Sequence, residues 1–336
     1  MTGLSKVRVL TRARASALVA VTVAVAVMAW IWWGGGTRTA GQAAAERLAC
    51  DASRLHLAGP HPGMAWVPAG RFTLGDSVYP EEGPPRAVQV EGFWMDRTEV
   101  TNDEFAEFVR ATGYVTVAER PVNAATHPAL PAALRQPGAV VFVMPNDVRG
   151  RGDVTQWWRY AIGASWRQPG GPGTDINGRG AFPVVAVTLE DARAYARWKG
   201  RSLPSEAQWE WAARAARADA PSSRQPPLDA NTWQGLFPVI NSADDGFVGV
   251  APVACYPPNA LGLHDMIGNV WELTTDLWNV HDGAPAQPAR HVIKGGSWLC
   301  AASYCMRYRA GARQPQEADL GTAHVGFRTI LVAPAP

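Results

Sequence analysis

Apolar residues recur with a helical period in three stretches of the chain. In residues 101–112, Phe105, Phe108 and Val109 share one face, because side chains three and four apart lie together on a helix. Thr101 stands at the N-cap with Glu104 three positions on, a capping box, and Gly113 ends the run. Residues 188–199 repeat the arrangement, with Thr188 as cap, Asp191 at the capping-box position, and Ala192, Tyr195, Ala196 and Trp198 on the apolar side. A third helix is predicted over 205–216, opened after Pro204 and carrying Trp209 and Trp211. Strand patterns are shorter. Residues 65–68 and 71–74, separated by Ala69-Gly70, predict a hairpin, and 88–95 a further strand. Residues 121–183 and 220–265 are rich in Gly and Pro and show little periodicity. No repeat, heptad or strand-helix alternation runs through the chain, which leaves an α+β domain with much irregular structure. Loops this long need something to order them, and bound metal ions are one means.

The longest apolar run comes first. Residues 15–33 carry no charge, follow Lys6, Arg8, Arg12 and Arg14, and precede any acidic residue, the first being Glu46. The run is near the ~20 residues a helix needs to cross a bilayer, and longer than the ~7–15 of a cleaved signal peptide. Trp30, Trp32 and Trp33 would sit at the far interface, where indole rings prefer the headgroup level. Basic residues on one side keep that end in the cytoplasm. The expected organisation is a basic cytoplasmic segment (1–14), a transmembrane signal anchor (15–33), a linker (34–62) with a short helix near 44–56, and an extracytoplasmic domain over 63–333. A cleaved signal, cut near 43–45, would export the same domain.

Composition adds that 336 residues hold one large domain or two ordinary ones. With 33 Gly, 27 Pro and 15 Trp against 18% charged residues, turns and short strands packed around large rings are expected. A net charge of +2, with no long basic stretch in the C-terminal part, argues against nucleic acid as a partner.

Export changes the meaning of the four cysteines, since disulfides persist outside the cytoplasm. Cys50 and Cys255 have no chemical motif around them and read as structural or free thiols. Cys300 and Cys305 are five positions apart, close enough to face one another across a turn. A small-loop disulfide and a soft-metal site are both open, because two thiolates match Cu(I) in softness. Zinc is disfavoured, for no second Cys or His pair completes a tetrahedral set.

The letters around the pair are Lys294-Gly295-Gly296-Ser297-Trp298-Leu299-Cys300, then Ser303-Tyr304-Cys305 and Arg307-Tyr308-Arg309. This segment resembles the active-site stretch of formylglycine-generating enzymes. Relatives of the wider sulfatase-modifying-factor fold mostly keep the Gly-Gly-Ser and a final Gly-Phe-Arg, here Gly326-Phe327-Arg328, without the cysteines. The resemblance continues through Gly63-Met64, Phe93-Trp94-Met95-Asp96, Val100-Thr101-Asn102, Gly113-Tyr114-Val115, Leu203-Pro204-Ser205-Glu206 and Gly268-Asn269-Val270-Trp271-Glu272. It implies a sulfatase-modifying-factor (C-type-lectin-like) fold, low in regular structure. It also implies that Cys300 and Cys305 bind Cu(I), and that an unfolded sulfatase segment offers the cysteine of a Cys-X-Pro-X-Arg motif as a further thiolate. O2 and a thiol reductant would then take that cysteine through a thioaldehyde to Cα-formylglycine. Ser297 falls at the oxygen-side pocket; satisfying a turn is an equal reading for its hydroxyl. Arg307 and Arg309 read as structural ion pairs.

The same resemblance places two Ca2+ ions, which suit hard oxygen ligands in loose geometry. One falls at Asn231, the Thr232 carbonyl, Asp245 and the Phe247 carbonyl; the other at Asp265, the Gly268 and Val270 carbonyls, and Glu272. Taken alone, Asp244 to Gly246 reads as a turn. Residues 215–229 depart from the family's usual Tyr-Pro-Trp-Gly, and Leu189 and Leu273 stand where Trp is common. Among the seven histidines, which include His264, His281, His291 and His324, there is no metalloprotease or iron-triad spacing. A non-catalytic binding module on the same scaffold is the alternative reading, and the intact cysteine pair counts against it.

Overall fold

In the computed structural model, the described residues are Cys50, 60–122, 124, 128–131, 135–150, 152–215, 229–278 and 289–332. The span at 15–33, the linker to residue 49, most of the segment at 44–56, and His281 lie outside them. Among the described residues no helix is long and apolar enough to cross a membrane. All of them belong to one compact unit, Leu48–Pro336.

Among the described residues, short strands and three α-helices build it: β1 (Met64–Val67), β2 (Gly70–Leu74), β3 (Arg86–Val90), β4 (Phe93–Asp96), α1 (Asn102–Thr112), β5 (Gly138–Phe142), β6 (Trp158–Ile162), α2 (Leu189–Trp198), α3 (Glu206–Ala213), β7 (Trp271–Leu277), β8 (Arg290–Lys294), β9 (Arg313–Glu317), β10 (Val325–Gly326) and β11 (Ile330–Leu331). They form a three-stranded sheet β1-β4-β11, a four-stranded sheet β10-β7-β8-β9, and the ribbons β2-β3 and β5-β6. Only β10 and β7 run parallel among these pairs, so the mixed helix and strand content expected from the sequence is what forms.

The helices start where their caps dictate. Thr101, Thr188 and Ser205 each accept a hydrogen bond from the backbone N–H three residues on, and Glu104, Asp191 and Gln208 in turn accept one from the cap residue's own N–H. Gly113 closes α1 at φ 68°, a left-handed conformation that glycine enters without steric cost. Helix α3 ends at Ala213, shorter than expected; residues 216–228 lie outside the described residues.

Two strand expectations fail. Residues 65–68 and 71–74 do not form a hairpin: β1 pairs with β4, and β2 with β3. Trp211 is the cause, since its ring occupies the space a Cβ at Gly70 would fill and its Nε1 donates to the Pro68 carbonyl at 2.8 Å. The wedge turns the chain from one sheet into the next. The single strand at 88–95 is likewise two, broken at Glu91-Gly92 where the Trp66 ring packs on the glycine.

The main core holds Phe105, Phe108, Tyr195, Trp166 and Phe327 between α1, α2 and β7, together with Cys300, Cys305 and Tyr308. Leu189 and Leu273, the two family Trp positions, are buried in this cluster. A disulfide joins Cys50 to Cys255 across 205 positions of sequence.

Candidate functional site

The cysteine loop begins where β8 ends. Lys294, the last residue of β8, is wholly buried and donates to Glu210 Oε2 of α3 at 2.9 Å, with Glu206 Oε1 at 3.6 Å. Gly295 and Gly296 follow at φ 96° and 79°. A Cβ on Gly296 would stand 2.9 Å from the Arg307 carbonyl, so the outgoing and returning arms of the loop meet where only glycine fits. The Cys300 N–H then donates to the Ser297 carbonyl at 2.8 Å and the Cys305 N–H to the Ala301 carbonyl at 2.9 Å. These two turns bring the sulfurs to 3.1 Å, both thiols free and both buried. A disulfide would hold them at about 2.05 Å, so the loop carries a dithiol.

Ser297 sits at the turn, its N–H 3.5 Å from Cys300 Sγ and its Oγ accepting from the Leu299 N–H at 3.3 Å. Arg307 Nη1 lies 3.9 Å from Cys305 Sγ, while the same guanidinium pairs with Glu81 and covers the Tyr79 ring at 4.2 Å. Arg309 pairs with Asp76 at 2.7 Å and with Glu82. Both arginines therefore make ion pairs that clamp the segment 76–82 onto the cysteine loop, and Arg307 additionally touches a sulfur. Burial and the neighbouring sulfur push the Cys300 thiol well above its ordinary range. The hydrogen bond from Cys300, helped by Arg307, brings Cys305 down to about 7 against the opposing effect of burial. One thiol of the pair is thus held close to thiolate, and the soft donor set fits a monovalent copper ion.

Beneath the loop lie the two oxygen-rich sets. In the first, Asp245 gathers the others, since its Oδ2 accepts from the Thr232 N–H at 2.9 Å and its Oδ1 from the Phe247 N–H at 3.1 Å. Asn231 directs its Nδ2 to the Gly249 carbonyl and to Asn269 Oδ1, and its buried Oδ1 has no protein partner. An acceptor left over in this way suits a cation. The Asp244-Asp245-Gly246 stretch is also a turn, closed by the Gly246 N–H on the Ala243 carbonyl at 2.9 Å.

The second set is tied into a buried charge cluster. Glu272 accepts from Trp209 Nε1 at 2.7 Å and makes two 2.7 Å bonds with Arg328, while Asp265 Oδ2 accepts from the Ala254 N–H at 2.7 Å. Gly268 packs against the Asn231 carbonyl where no side chain fits, at φ 80°. Glu99, which the sequence reading missed, joins here: it is fully buried, its Oε1 accepts from Asn269 Nδ2 at 3.1 Å, and its Oε2 has no hydrogen-bond partner. Burial and the facing carboxyls push Glu99 well above, and Asp265 up to about 6 from, their ordinary range. Three buried acids face the single guanidinium of Arg328, and a divalent ion would balance the excess that protonation otherwise covers. Among the described residues, no three His, Cys, Asp or Glu side chains form a metal cage of their own; carbonyls must complete either set.

Asn231 and Asn269 link the two sets, Asn231 Nδ2 donating to Asn269 Oδ1 at 3.0 Å. Among the described residues the histidine rings stand apart from both sets: His264 Nδ1 lies 2.9 Å from the Tyr256 carbonyl, and His324 packs on Trp158 at 4.8 Å with the rings tilted by 41°, burial lowering it to about 3.

Comparison with known proteins gives the family. Residues 52–333 match the model of the sulfatase-modifying factor enzyme 1-like domain. The chain is 46% identical over 289 residues to the formylglycine-generating enzyme of Mycobacterium tuberculosis, covering 79% of this chain and 96% of that one. It is 37% identical over 288 residues to the mouse inactive C-alpha-formylglycine-generating enzyme 2, covering 82% and 87%. Among solved structures, PvdO from Pseudomonas aeruginosa superposes with a TM-score of 0.54 at 25% identity, over 80% of this chain and 93% of that one.

Proposed function

Since the chain belongs to the family of sulfatase-modifying factors and formylglycine-generating enzymes, we propose that it converts a cysteine of an unfolded sulfatase segment, in a Cys-X-Pro-X-Arg context, to Cα-formylglycine. The observation that carries this is the free Cys300–Cys305 pair at 3.1 Å, because two facing unoxidised thiols offer a soft ion a ready donor set. One relative is named as inactive; the dithiol supports the catalytic reading for this chain.

Cys300 and Cys305 would hold Cu(I), which when bound supplies a site where a substrate thiolate and O2 meet without the entropy cost of free encounter. The protein's own groups do the rest. The Gly295-Gly296 turn fixes both sulfurs, Arg307 favours the Cys305 thiolate, and the buried core behind Cys300 keeps water from the thiols. The reaction balances with a thiol reductant: the substrate cysteine, one O2 and two reductant thiols give the aldehyde, hydrogen sulfide, one water and one disulfide. Two electrons leave the substrate carbon and two come from the reductant. Incubating the copper-loaded enzyme with such a peptide, O2 and a thiol, and finding an aldehyde by mass spectrometry, tests the proposal. A peptide recovered unchanged would refute it.

Calcium at the two oxygen-rich sets would stabilise the domain by binding only its folded state. The orphaned Asn231 Oδ1 and the acid excess at Glu99, Asp265 and Glu272 support this. Chelation is expected to lower the melting temperature of metal-loaded protein, with much of that sensitivity lost in Glu272→Ala; an unchanged melting curve on chelation would remove calcium from the account.

The domain acts outside the cytoplasm, held by residues 15–33. The Cys50–Cys255 disulfide supports this placement, since such bonds persist in oxidising compartments. Protease added to spheroplasts should digest the domain and spare a cytoplasmic control, whereas protection of the full-length domain would reverse the orientation.

A further inference from the structure

The cysteine loop and both oxygen-rich sets meet on a few buried peptide groups. A peptide unit is planar and polar at both ends, so a cation on its carbonyl strengthens the hydrogen bond that its N–H donates. The Gly268 carbonyl, placed above at the second set, shares its peptide with the Asn269 N–H, which donates to the Asn231 carbonyl at 2.9 Å. That carbonyl shares its peptide with the Thr232 N–H, which donates to Asp245 Oδ2 in the first set at 2.9 Å. The Thr232 carbonyl, placed at the first set, shares its peptide with the Trp233 N–H, and this donates to the Cys300 carbonyl at 3.0 Å. The second set also reaches the loop directly. The Gly268 N–H donates to the Gly295 carbonyl at 3.0 Å, and the Asn269 carbonyl accepts from the Trp298 N–H at 2.9 Å.

Asn269 stands where these bonds converge. It is wholly buried and lies at φ 50°, a conformation that asparagine enters more readily than most side chains. Its Oδ1 accepts from Asn231 Nδ2 at 3.0 Å and from the Ala251 N–H at 2.9 Å, while its Nδ2 donates to Glu99 Oε1 at 3.1 Å. One side chain thus grips a residue of the first set and an acid of the second cluster, and its backbone grips the cysteine loop. We infer that Asn269 is a positioning residue that makes the three sites one cooperative unit, in which a divalent cation at the oxygen-rich sets and Cu(I) at Cys300 and Cys305 favour each other's binding. This rests on the metal reading above and adds to it a dependence of one metal on the other. The dependence is reciprocal: the factor by which calcium raises the affinity for Cu(I) is the factor by which Cu(I) raises the affinity for calcium. A calcium ion that only stabilises the fold has no such effect.

The test uses the full chain in detergent, well below the melting transition of the calcium-free protein, so that both forms are folded. Cu(I) affinity is read by competition with bicinchoninate, with calcium chloride present or calcium removed. Calcium should tighten Cu(I) binding by on the order of tenfold, and Cu(I) should tighten calcium binding, read by calorimetry, by the same factor. Asn269→Gly accepts the positive φ and removes the side-chain grip; it should bind both ions and lose most of the dependence. Asn269→Asp keeps the size, loses the donor to Glu99, and should weaken the dependence in part. A merely structural residue would lower the melting temperature and leave the factor in place, so the full factor retained in either folded variant would overturn the role of Asn269. Cu(I) binding by the unmodified chain that ignores calcium would overturn the coupling itself. No Cu(I) binding in either condition would remove the copper reading and the coupling with it, so the two failures are told apart.

Discussion

Serine in place of either Cys300 or Cys305 is expected to abolish tight Cu(I) binding and to reduce aldehyde formation to background, with the fold preserved. A hydroxyl is a hard, weakly acidic donor that does not replace a thiolate on a soft ion. Both sulfurs are required because they form one site, so the double variant should be no worse than either single one. The structural cost is modest. A buried hydroxyl without a full set of partners costs about 1–3 kcal/mol, which a domain of this size survives. Stoichiometric Cu(I) binding retained in both single variants would show that the pair is not the metal site.

The second large effect is expected at Arg328. Its guanidinium is fully buried, makes two 2.7 Å bonds to Glu272, and also offsets the charge of Glu99 and Asp265. Arg328→Met leaves these carboxyls without it, and breaking a buried pair from one side costs about 3–5 kcal/mol. For a domain of this size that corresponds to a melting temperature lower by on the order of 10 °C. Removing Glu272 as well, in Arg328→Met, Glu272→Leu, should recover part of the loss, because no unpaired charge from that couple then remains. If Arg328→Met melts within a degree or two of the unmodified protein, the cluster is not held as described.

What the sequence showed and hid follows from the range of the interactions involved. Helices α1 and α2 were legible because their caps and faces are local: Thr101 with Glu104, and Thr188 with Asp191, act within three residues. The pairing of β1 with β4 was not, because the turn at Val67 to Gly70 is shaped by Trp211, some 140 positions away. The ribbon β5-β6 was hidden in a stretch read as aperiodic, where Gly138 and the half-exposed residues of β6 blur the alternation. At the site, the residues of the cysteine loop stood out, since its glycines, serine and thiols lie within sixteen residues from Lys294 to Arg309, while their spacing left a disulfide and a free pair both open. Glu99 left no signal. It ends the short stretch after β4 and gains its meaning only from Asn269 and Asp265, brought to it by folding. The Cys50–Cys255 bond was equally unreadable, its halves lying 205 positions apart without a motif.

As proposed, Cys300 and Cys305 form one copper site at which a substrate cysteine is oxidised. The most direct measurement is mass spectrometry of a Cys-X-Pro-X-Arg peptide after incubation with O2, a thiol and either copper-loaded or copper-free enzyme. The account predicts an aldehyde in place of the thiol, trapped by a hydrazide, with the loaded enzyme alone, and none with Cys300→Ser or Cys305→Ser. Aldehyde formed equally without copper, or by either serine variant, would contradict it.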